Sequence, residues 1–525
     1  MSYDYIIVGA GTAGCVVANR LSKDPSKDVL LLEYGGTDMN PLFHIPKCFA
    51  FTTEGERYAY QYPTLPSGEH WTRGKAVGGS TAINGMHYIR GTASYYNAIE
   101  EAGNKGWGWA EMLPAFRSIE DHQLGASATR GVGGALPVSV TDASGERTNE
   151  ALIASAQKLG WERAHDINEH DNERIGYTPT TIKNGFRVSS AKAFLRPALK
   201  RPNLTCVNRT RVGSLIFDGT RVVGVRTSRK GVLKEYYAQK EVIVSLGSIE
   251  SALLLERSGI GNPSILASAG VDVRVDSPNV GERVLEQRLV QMQFKLKDNL
   301  GYNRLLSTIP RQAVTGAKYV LTRKGVIANG GYDITTFYKS SPDLAEPDVT
   351  GLFTPLSLDL ASGGHKVARG PGFLFTGYML HPTTPSSIHI RGSRPEDEPT
   401  IDARFLETEH DRKATIGILT GVRALLSQGP IADLIKEEEF PGPGVQTADQ
   451  IIEHSWNSGP SANAVGACAM GPNDDDVVDS RLRVRGVDSL RVVDSSVLAS
   501  NPGGGTMAPT MAVAWRGSDF IMEDA

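Results

Sequence analysis

Cysteine is scarce in this chain: four among 525 residues, Cys15, Cys48, Cys206 and Cys468, with no CxxC pair. That excludes a disulfide framework and a cysteine-built zinc site, and no metal is expected. No apolar run reaches membrane-spanning length. An excess of one charge is missing too, since 55 Lys+Arg against 58 Asp+Glu leave a formal net charge of −3. Such a balance favours neither nucleic acid nor a membrane surface as a partner. A first strand expected from Tyr3 leaves no room for a signal peptide, so the expected setting is reduced and cytoplasmic. Without secretion, the glycosylation-type triplets at Asn203 and Asn208 carry no weight.

What the chain has is glycine, 57 residues, several of them gathered at motif positions. Its 40% hydrophobic and 22% charged residues suit a soluble globular protein long enough for two domains. Tyr5-Ile6-Ile7-Val8 reads as a buried strand, Gly9-Ala10-Gly11-Thr12-Ala13-Gly14 as a turn, and Cys15 to Leu21 as a helix. A second strand, Val29 to Leu32, ends at Glu33, nineteen residues after Gly14. Gly9 permits the tight turn, Gly11 lets the backbone approach a pyrophosphate, and Gly14 lets the helix pack on the strand. The helix start offers free N–H groups to phosphates, and Glu33 can accept from a ribose hydroxyl. Strand, turn, helix and acid in this order predict a dinucleotide-binding unit, without separating FAD from NAD. Cys15 and Cys468 lie within such motifs and are expected to be small buried hydrophobes.

Residues 35–70 read as loop, followed by the glycine-rich run Arg73 to Met86. Gly103 to Glu120 reads as a Trp-rich loop and a helix, and 120–150 as exposed Gly/Ser-rich chain. The spacing predicts a helix over Asn149 to Leu159 and strands over Leu204–Val207, Val212–Phe217 and Val222–Val225. Glu241 to Ser248 reads as a buried strand entering another glycine turn and helix. From about 290 to 455 the pattern changes to alternating strands, among them Phe373 to Leu380 and Ser387 to Arg391. A helix around Ala414 to Leu426 follows.

Three further motifs carry a resemblance to the glucose–methanol–choline (GMC) oxidoreductases over nearly the full length. Gly74 to Asn97, with Gly78-Gly79-Ser80-Thr81 and Asn84, fits the family's first signature. Gly247 to Gly261 fits the second, except for Ala252 where Pro or Ser is usual. Leu490 to Val497 is similar to the last flavin-binding strand and turn. The resemblance implies an α/β protein: a Rossmann-like FAD-binding domain and a second, α+β substrate domain built on an antiparallel sheet. The expected bounds are 1–155, 200–290 and 459–525 for the first, and 156–199 and 291–458 for the second. Implied cofactor residues are Gly9, Gly11, Thr12, Ala13, Gly14, Glu33, Arg73, Gly78, Gly79, Ser80, Asn84, Gly85, Met86, Val212, Asp494, Thr506 and Met507. Ile83 stands where some relatives join a histidine to FAD, so the flavin is expected to be non-covalent.

The chain departs from that pattern at its catalytic positions. Family alcohol oxidases carry a histidine at the place of Asn463, and a histidine or asparagine at the place of Met507. An amide does not take a proton from an alcohol near neutral pH, and a positioned base contributes about 10²–10⁴-fold to such a step. Asn463 is shared with the family's fatty acid photodecarboxylases, but the strand Gly377 to Pro382 places Leu380 where that branch has a cysteine. His87 and His381 are the candidates for a replacement base, each weighed against a plainly structural role. His454 is expected at the surface, and Glu286-Gln287, replacing a common Asp-His pair, to be structural. The Phe373, Phe375 and Tyr378 cluster fits a greasy pocket or plain core.

The expectation is an FAD-dependent oxidoreductase acting on a small or apolar organic substrate with a CH–OH or related donor. Its electron acceptor, oxygen or another, stays open. Two alternatives stand beside it: a non-oxidative or light-driven enzyme such as a carboxylate decarboxylase, and an FAD-binding protein without catalysis.

Overall fold

The computed structural model describes residues 2–140, 145–363 and 366–525. The N-terminal strand Ser2–Val8 is wholly buried from Tyr5 onward, which its unbroken apolar run dictates. It pairs in parallel with Val29–Leu32 on one side and with the long strand Val232–Val244 on the other. Leu204–Val207 closes one edge, Leu490–Val492 adds to Val232–Val244 in parallel, and Arg221–Arg229 and Arg211–Asp218 extend the other edge antiparallel. Helix Thr12–Leu21 packs against the buried C-terminal helix Met507–Glu523. Helix Gly247–Arg257 leaves the end of Val232–Val244 with nearly every residue buried. Cys15 and Cys468 are fully buried in this core.

A second seven-stranded sheet runs Ile435–Phe440, Leu289–Leu296, Gly372–Met379, Val349–Thr354, Ile334–Tyr338, Arg174–Tyr177 and Glu162–Arg163, antiparallel except for the last pair. The expected α/β class with an antiparallel second sheet is therefore present. The expected boundary between residues 290 and 291 falls inside the strand Leu289–Leu296. The helix Glu409–Leu426, capped by the Thr408 side chain, covers this sheet. Phe294 and Phe373 stack at 4.9 Å between ring centres, and both rings, like Phe375, belong to the core.

Three local expectations are corrected. The stretch 35–70 holds half of a hairpin, Ala59–Pro63 against His70–Gly74, where Tyr60 and Tyr62 alternate with Gln61 across from Arg73 and Trp71. The stretch 120–150 is not simply exposed. Glu120–His122 and Leu136–Val140 pair in a small sheet, Leu136 and Val138 are buried, and the wholly buried Glu120 carboxylate accepts from Arg90 at 2.8 and 2.9 Å. Residues 141–144 of that stretch lie outside the described residues. His454 is buried rather than superficial, with its Nε2 2.7 Å from the Gln291 carbonyl oxygen, so desolvation pushes its imidazole down. Helical spacing alone did not reveal that the strand Leu289–Leu296 lies over that face.

Candidate active site

A long cleft opens beyond the C-terminal ends of the first sheet's parallel strands, where Val8, Leu32 and Ser245 line it, with about 1340 Å³ of space including its open mouth. Its floor is the glycine turn after the first strand. Gly9 has φ +104°, and a Cβ there would lie 2.4 Å from the Ser245 carbonyl oxygen. A Cβ on Gly79 (φ +52°) would come within 2.8 Å of Gly11 Cα, so the two glycine runs touch back to back. Gly78 N–H donates to Ala10 O at 2.7 Å and fixes that contact. Gly11, by contrast, has no atom within 3.9 Å of such a Cβ, which leaves room for a ligand to approach the backbone.

At one end, Glu33 accepts from Ala10 N–H at 2.9 Å and Gly35 N–H at 2.6 Å. Burial pushes its carboxyl up to about 7, against those two backbone donors. Tyr34, Thr210, Arg211 and Val212 complete this end, and the Arg211 guanidinium lies 4.9 Å from the Tyr34 ring centre. Further along, Asp494 accepts from Gly247 N–H (2.9 Å), Ser251 Oγ (2.6 Å) and Ser496 N–H (2.8 Å). Its carboxylate thus organises the start of helix Gly247–Arg257, where N–H groups open toward the cleft.

At the other end stands Asn463. Its Nδ2 donates to Gln287 Oε1 (2.9 Å) and Ser461 Oγ (3.1 Å), and its backbone N–H donates to Glu286 Oε1 (2.9 Å). Its Oδ1 has only long contacts, 3.4 Å from Thr506 N and 3.3 Å from Thr506 Oγ1. Glu286 Oε1 also accepts from Ser461 Oγ at 2.8 Å, while its buried Oε2 has no hydrogen-bond partner and lies 3.8 Å from Arg73 Nη2. Burial raises the Glu286 carboxyl despite the Arg73 charge, and burial lowers the Arg73 guanidinium. Asn84 Nδ2 donates to Met507 Sδ at 3.2 Å, and its Oδ1 accepts from Arg187 Nη1 at 2.7 Å.

The cleft brings together Gly9, Gly11, Thr12, Ala13, Glu33, Arg73, Gly79, Ser80, Asn84, Val212, Asn463, Asp494, Thr506 and Met507. Gly14, Gly78, Gly85 and Met86 stand behind this lining. A Cβ on Gly14 would lie 1.8 Å from Gly9 O, so its bareness serves the helix–strand contact. Gly85 O accepts from Gly331 N–H at 3.0 Å, and Met86 is fully buried with φ +65°. His87 and His381 do not line the cleft either. His87 Nε2 is 3.2 Å from Thr335 Oγ1, and desolvation alone pushes its imidazole down to about 3. His381 Nδ1 is 2.8 Å from Asn501 O, its ring stacks on Tyr95, and burial lowers its imidazole. Leu380 is buried in a small apolar cluster with Ile89 and Phe337.

Tyr34, Tyr60, Tyr62, Arg211, Glu250 and Arg187 were not anticipated. The Tyr-x-Tyr alternation of 60–62 was a usable strand signal. Arg187, 1% exposed and pushed down to about 9 by burial, had none, because its role depends on reaching Asn84 and the Thr81 carbonyl across the fold.

Two GMC oxidoreductase family models match the chain, one over residues 3–288 and one over residues 382–514. The oxygen-dependent choline dehydrogenase of Vibrio vulnificus is 35% identical over 99% of this chain and 94% of its own length. An alcohol dehydrogenase (acceptor) of Pseudomonas putida is 34% identical over 99% and 96%. Among solved structures, pyridoxine 4-oxidase from Mesorbium loti superposes with a TM-score of 0.88 at 27% identity, covering 99% of both chains. A formate oxidase superposes at 0.90 with 23% identity over 100% of this chain and 98% of its own, a likeness of fold. No helix among the described residues is long and apolar enough to cross a membrane. With both halves matched, the chain belongs to the GMC oxidoreductase family of FAD-dependent enzymes.

Proposed function

We propose that this enzyme oxidises a CH–OH or related donor on a small or apolar organic molecule, using an amide where a base is usual. The carrying observation is the directed hydrogen bonding of Asn463. Gln287 Nε2 donates to the carbonyls of Met379 (3.0 Å) and Leu380 (3.3 Å), which turns Gln287 Oε1 toward Asn463 Nδ2. Both Nδ2 hydrogens are spent on Gln287 and Ser461, whereas Oδ1 accepts only long hydrogen bonds from Thr506 N–H (3.4 Å) and Thr506 Oγ1 (3.3 Å), which a substrate hydroxyl would displace more readily. An acceptor at that point suits a substrate hydroxyl and disfavours a carboxylate.

FAD supplies the two-electron acceptor for the donor carbon. The chain's residues fit that cofactor: Gly11 leaves room for close backbone approach, Glu33 would accept from ribose hydroxyls, and the N-termini of Gly247–Arg257 and Thr12–Leu21 would face the phosphates. Ile83, 3% exposed, has no side chain that bonds covalently to it. Asn463 orients the hydroxyl, and Met507 contributes a soft apolar contact. Neither side chain takes a proton near neutral pH, so the hydroxyl proton must leave to solvent from a donor acidic enough to need no base, and ordinary primary alcohols such as methanol or choline should turn over poorly.

An anaerobic screen of alcohols, aldehydes and carboxylates, in dark and under blue light, tests this reading through flavin absorbance and product. Bleaching by an alcohol in the dark is expected. Product only under light, from a carboxylate, would replace this reading with a decarboxylase, and no bleaching by any donor would leave a binding protein.

A further inference from the structure

The Ile309–Thr322 helix is built inside out. At 3.6 residues per turn, Ile309, Ala313, Val314, Ala317, Val320 and Leu321 fall within an arc of about 140°. Four of them are bare: Ile309 is 81% exposed, Val314 71%, Val320 60% and Leu321 84%. The protein side of the helix is the polar one. Tyr319, its single buried residue, sits opposite the apolar arc and donates from its hydroxyl to Gly185 O at 2.9 Å. Thr315 Oγ1 and Gln312 Nε2 tie the same side to the Leu305 and Leu306 carbonyls at 2.9 and 2.7 Å. A helix turned to serve the fold alone would bury Val320 and Leu321 instead.

Charge singles out the same stretch. Between Asp298 and Asp333 the chain has no Asp or Glu, but it has Arg304, Arg311, Lys318, Arg323 and Lys324. A segment of formal charge +5 thus stands in a protein of net charge −3. Arg311 and Lys318 border one edge of the apolar arc on the helix itself. Phe51, 65% exposed, lies three residues beyond the turn Pro46–Cys48, which packs against Val326–Ala328 just past the helix.

We propose that the Ile309–Thr322 helix is a membrane-surface docking element that lies in the headgroup layer of an anionic bilayer. Arg304 is paired with Glu146 at 3.5 Å, but Arg311 and Lys318 lie on the helix itself, and an outward apolar arc bordered by cations, in a stretch of chain free of acids, is the pattern of an interfacial helix. Charge decides the occupant. Two copies meeting through this face would set like-charged segments against each other, whereas anionic headgroups neutralise them. The absence of a spanning helix among the described residues is compatible with a protein that lies on the surface.

The test uses the full-length, flavin-loaded protein and sedimentation with vesicles. One set is phosphatidylcholine alone and the other contains about one-third phosphatidylserine, at about 0.1 M and about 1 M salt. Binding to the anionic vesicles is expected at low salt, weakened at least about tenfold by high salt, by neutral vesicles, and by the double variant Val314→Glu/Leu321→Glu. Both substituted residues are solvent-facing and not among the residues lining the cleft, so flavin content and melting temperature should match the parent. Equal binding to neutral vesicles, no binding to either, or identical binding by the variant would overturn the proposal. So would a lipid-free dimer that the variant dissolves, which would make a second copy the occupant.

Discussion

Gln287 Oε1 accepts a hydrogen bond from Asn463 Nδ2 at 2.9 Å, and the Gln287 amide is itself anchored to the carbonyls of Met379, the last residue of a second-sheet strand, and of Leu380 just beyond it. On the proposed reading, in which Gln287 stands for a histidine of the family's common Asp-His pair and Asn463 for the catalytic one, the first sets the orientation of the second. The two departures from the family pattern form a single unit.

Gln287→Leu should release that orientation. It leaves the carbonyls of Met379 and Leu380 without their side-chain donor and Asn463 Nδ2 with Ser461 alone. Unsatisfied buried groups cost about 1–3 kcal/mol each, so a lower melting temperature should accompany a lower kcat/KM on any donor the parent oxidises. An unchanged kcat/KM would show that the amide's direction has no consequence.

Asn463→Ala should leave FAD occupancy near the parent's while lowering kcat and kcat/KM together. One hydrogen bond to substrate contributes about 0.5–1.5 kcal/mol, so the expected loss is up to about tenfold. If the residue only braces the loop before Gly466, stability and flavin content should fall together instead, and full activity would remove it from the mechanism.

The first glycine turn was legible because its parts are contiguous: strand, Gly9, Gly11, Gly14 and the acid at Glu33 lie within one βαβ unit. The Asn463 network was not, because Gln287, Ser461 and Thr506 meet only after the two sheets have closed on one another. The burial of His87 was equally invisible. Its position three residues after Asn84 suggested a base, whereas the fold desolvates the ring against Thr335 and Tyr332. The whole-chain balance of −3 masked the basic segment 299–332, since summing charge over 525 residues averages out a local excess.

Acid precipitation of the purified enzyme should leave all flavin in the supernatant, because Ile83, which the family resemblance puts at the position of covalent attachment, is a buried aliphatic in a cluster with Phe43 and Ala59. Flavin retained in the pellet would contradict this.

His87→Gln should preserve the shape of the pH profile. An imidazole held near 3 is neutral throughout pH 5–8, so removing it deletes no titration in that range. Gln keeps a partner for Thr335 Oγ1. Loss of one limb of the kcat/KM profile in this variant would make His87 the missing base.

Glu33 gives the fold a pH dependence of a definite sign. Its carboxyl sits at about 7 in the folded protein against an ordinary value of 4.5, because burial outweighs the two N–H donors. Between those values the folded state holds a proton that the unfolded state has released, so stability falls as pH rises. The contribution is fully present below about 4.5 and lost as pH rises through about 7, at most about 3 kcal/mol. Other buried carboxyls, Glu286 and Asp333 among them, are shifted the same way, so the parent's curve alone does not isolate Glu33. The difference between parent and Glu33→Gln does. Gln cannot titrate and forfeits one of the two N–H acceptors, so the variant should be less stable than the parent at pH 5. As pH rises to 8 the parent loses its protonated carboxyl and the gap should narrow. Urea melts of the flavin-stripped proteins at both pH values measure this. A gap that widens with pH would mean that the carboxylate, not the acid, is the form this site stabilises.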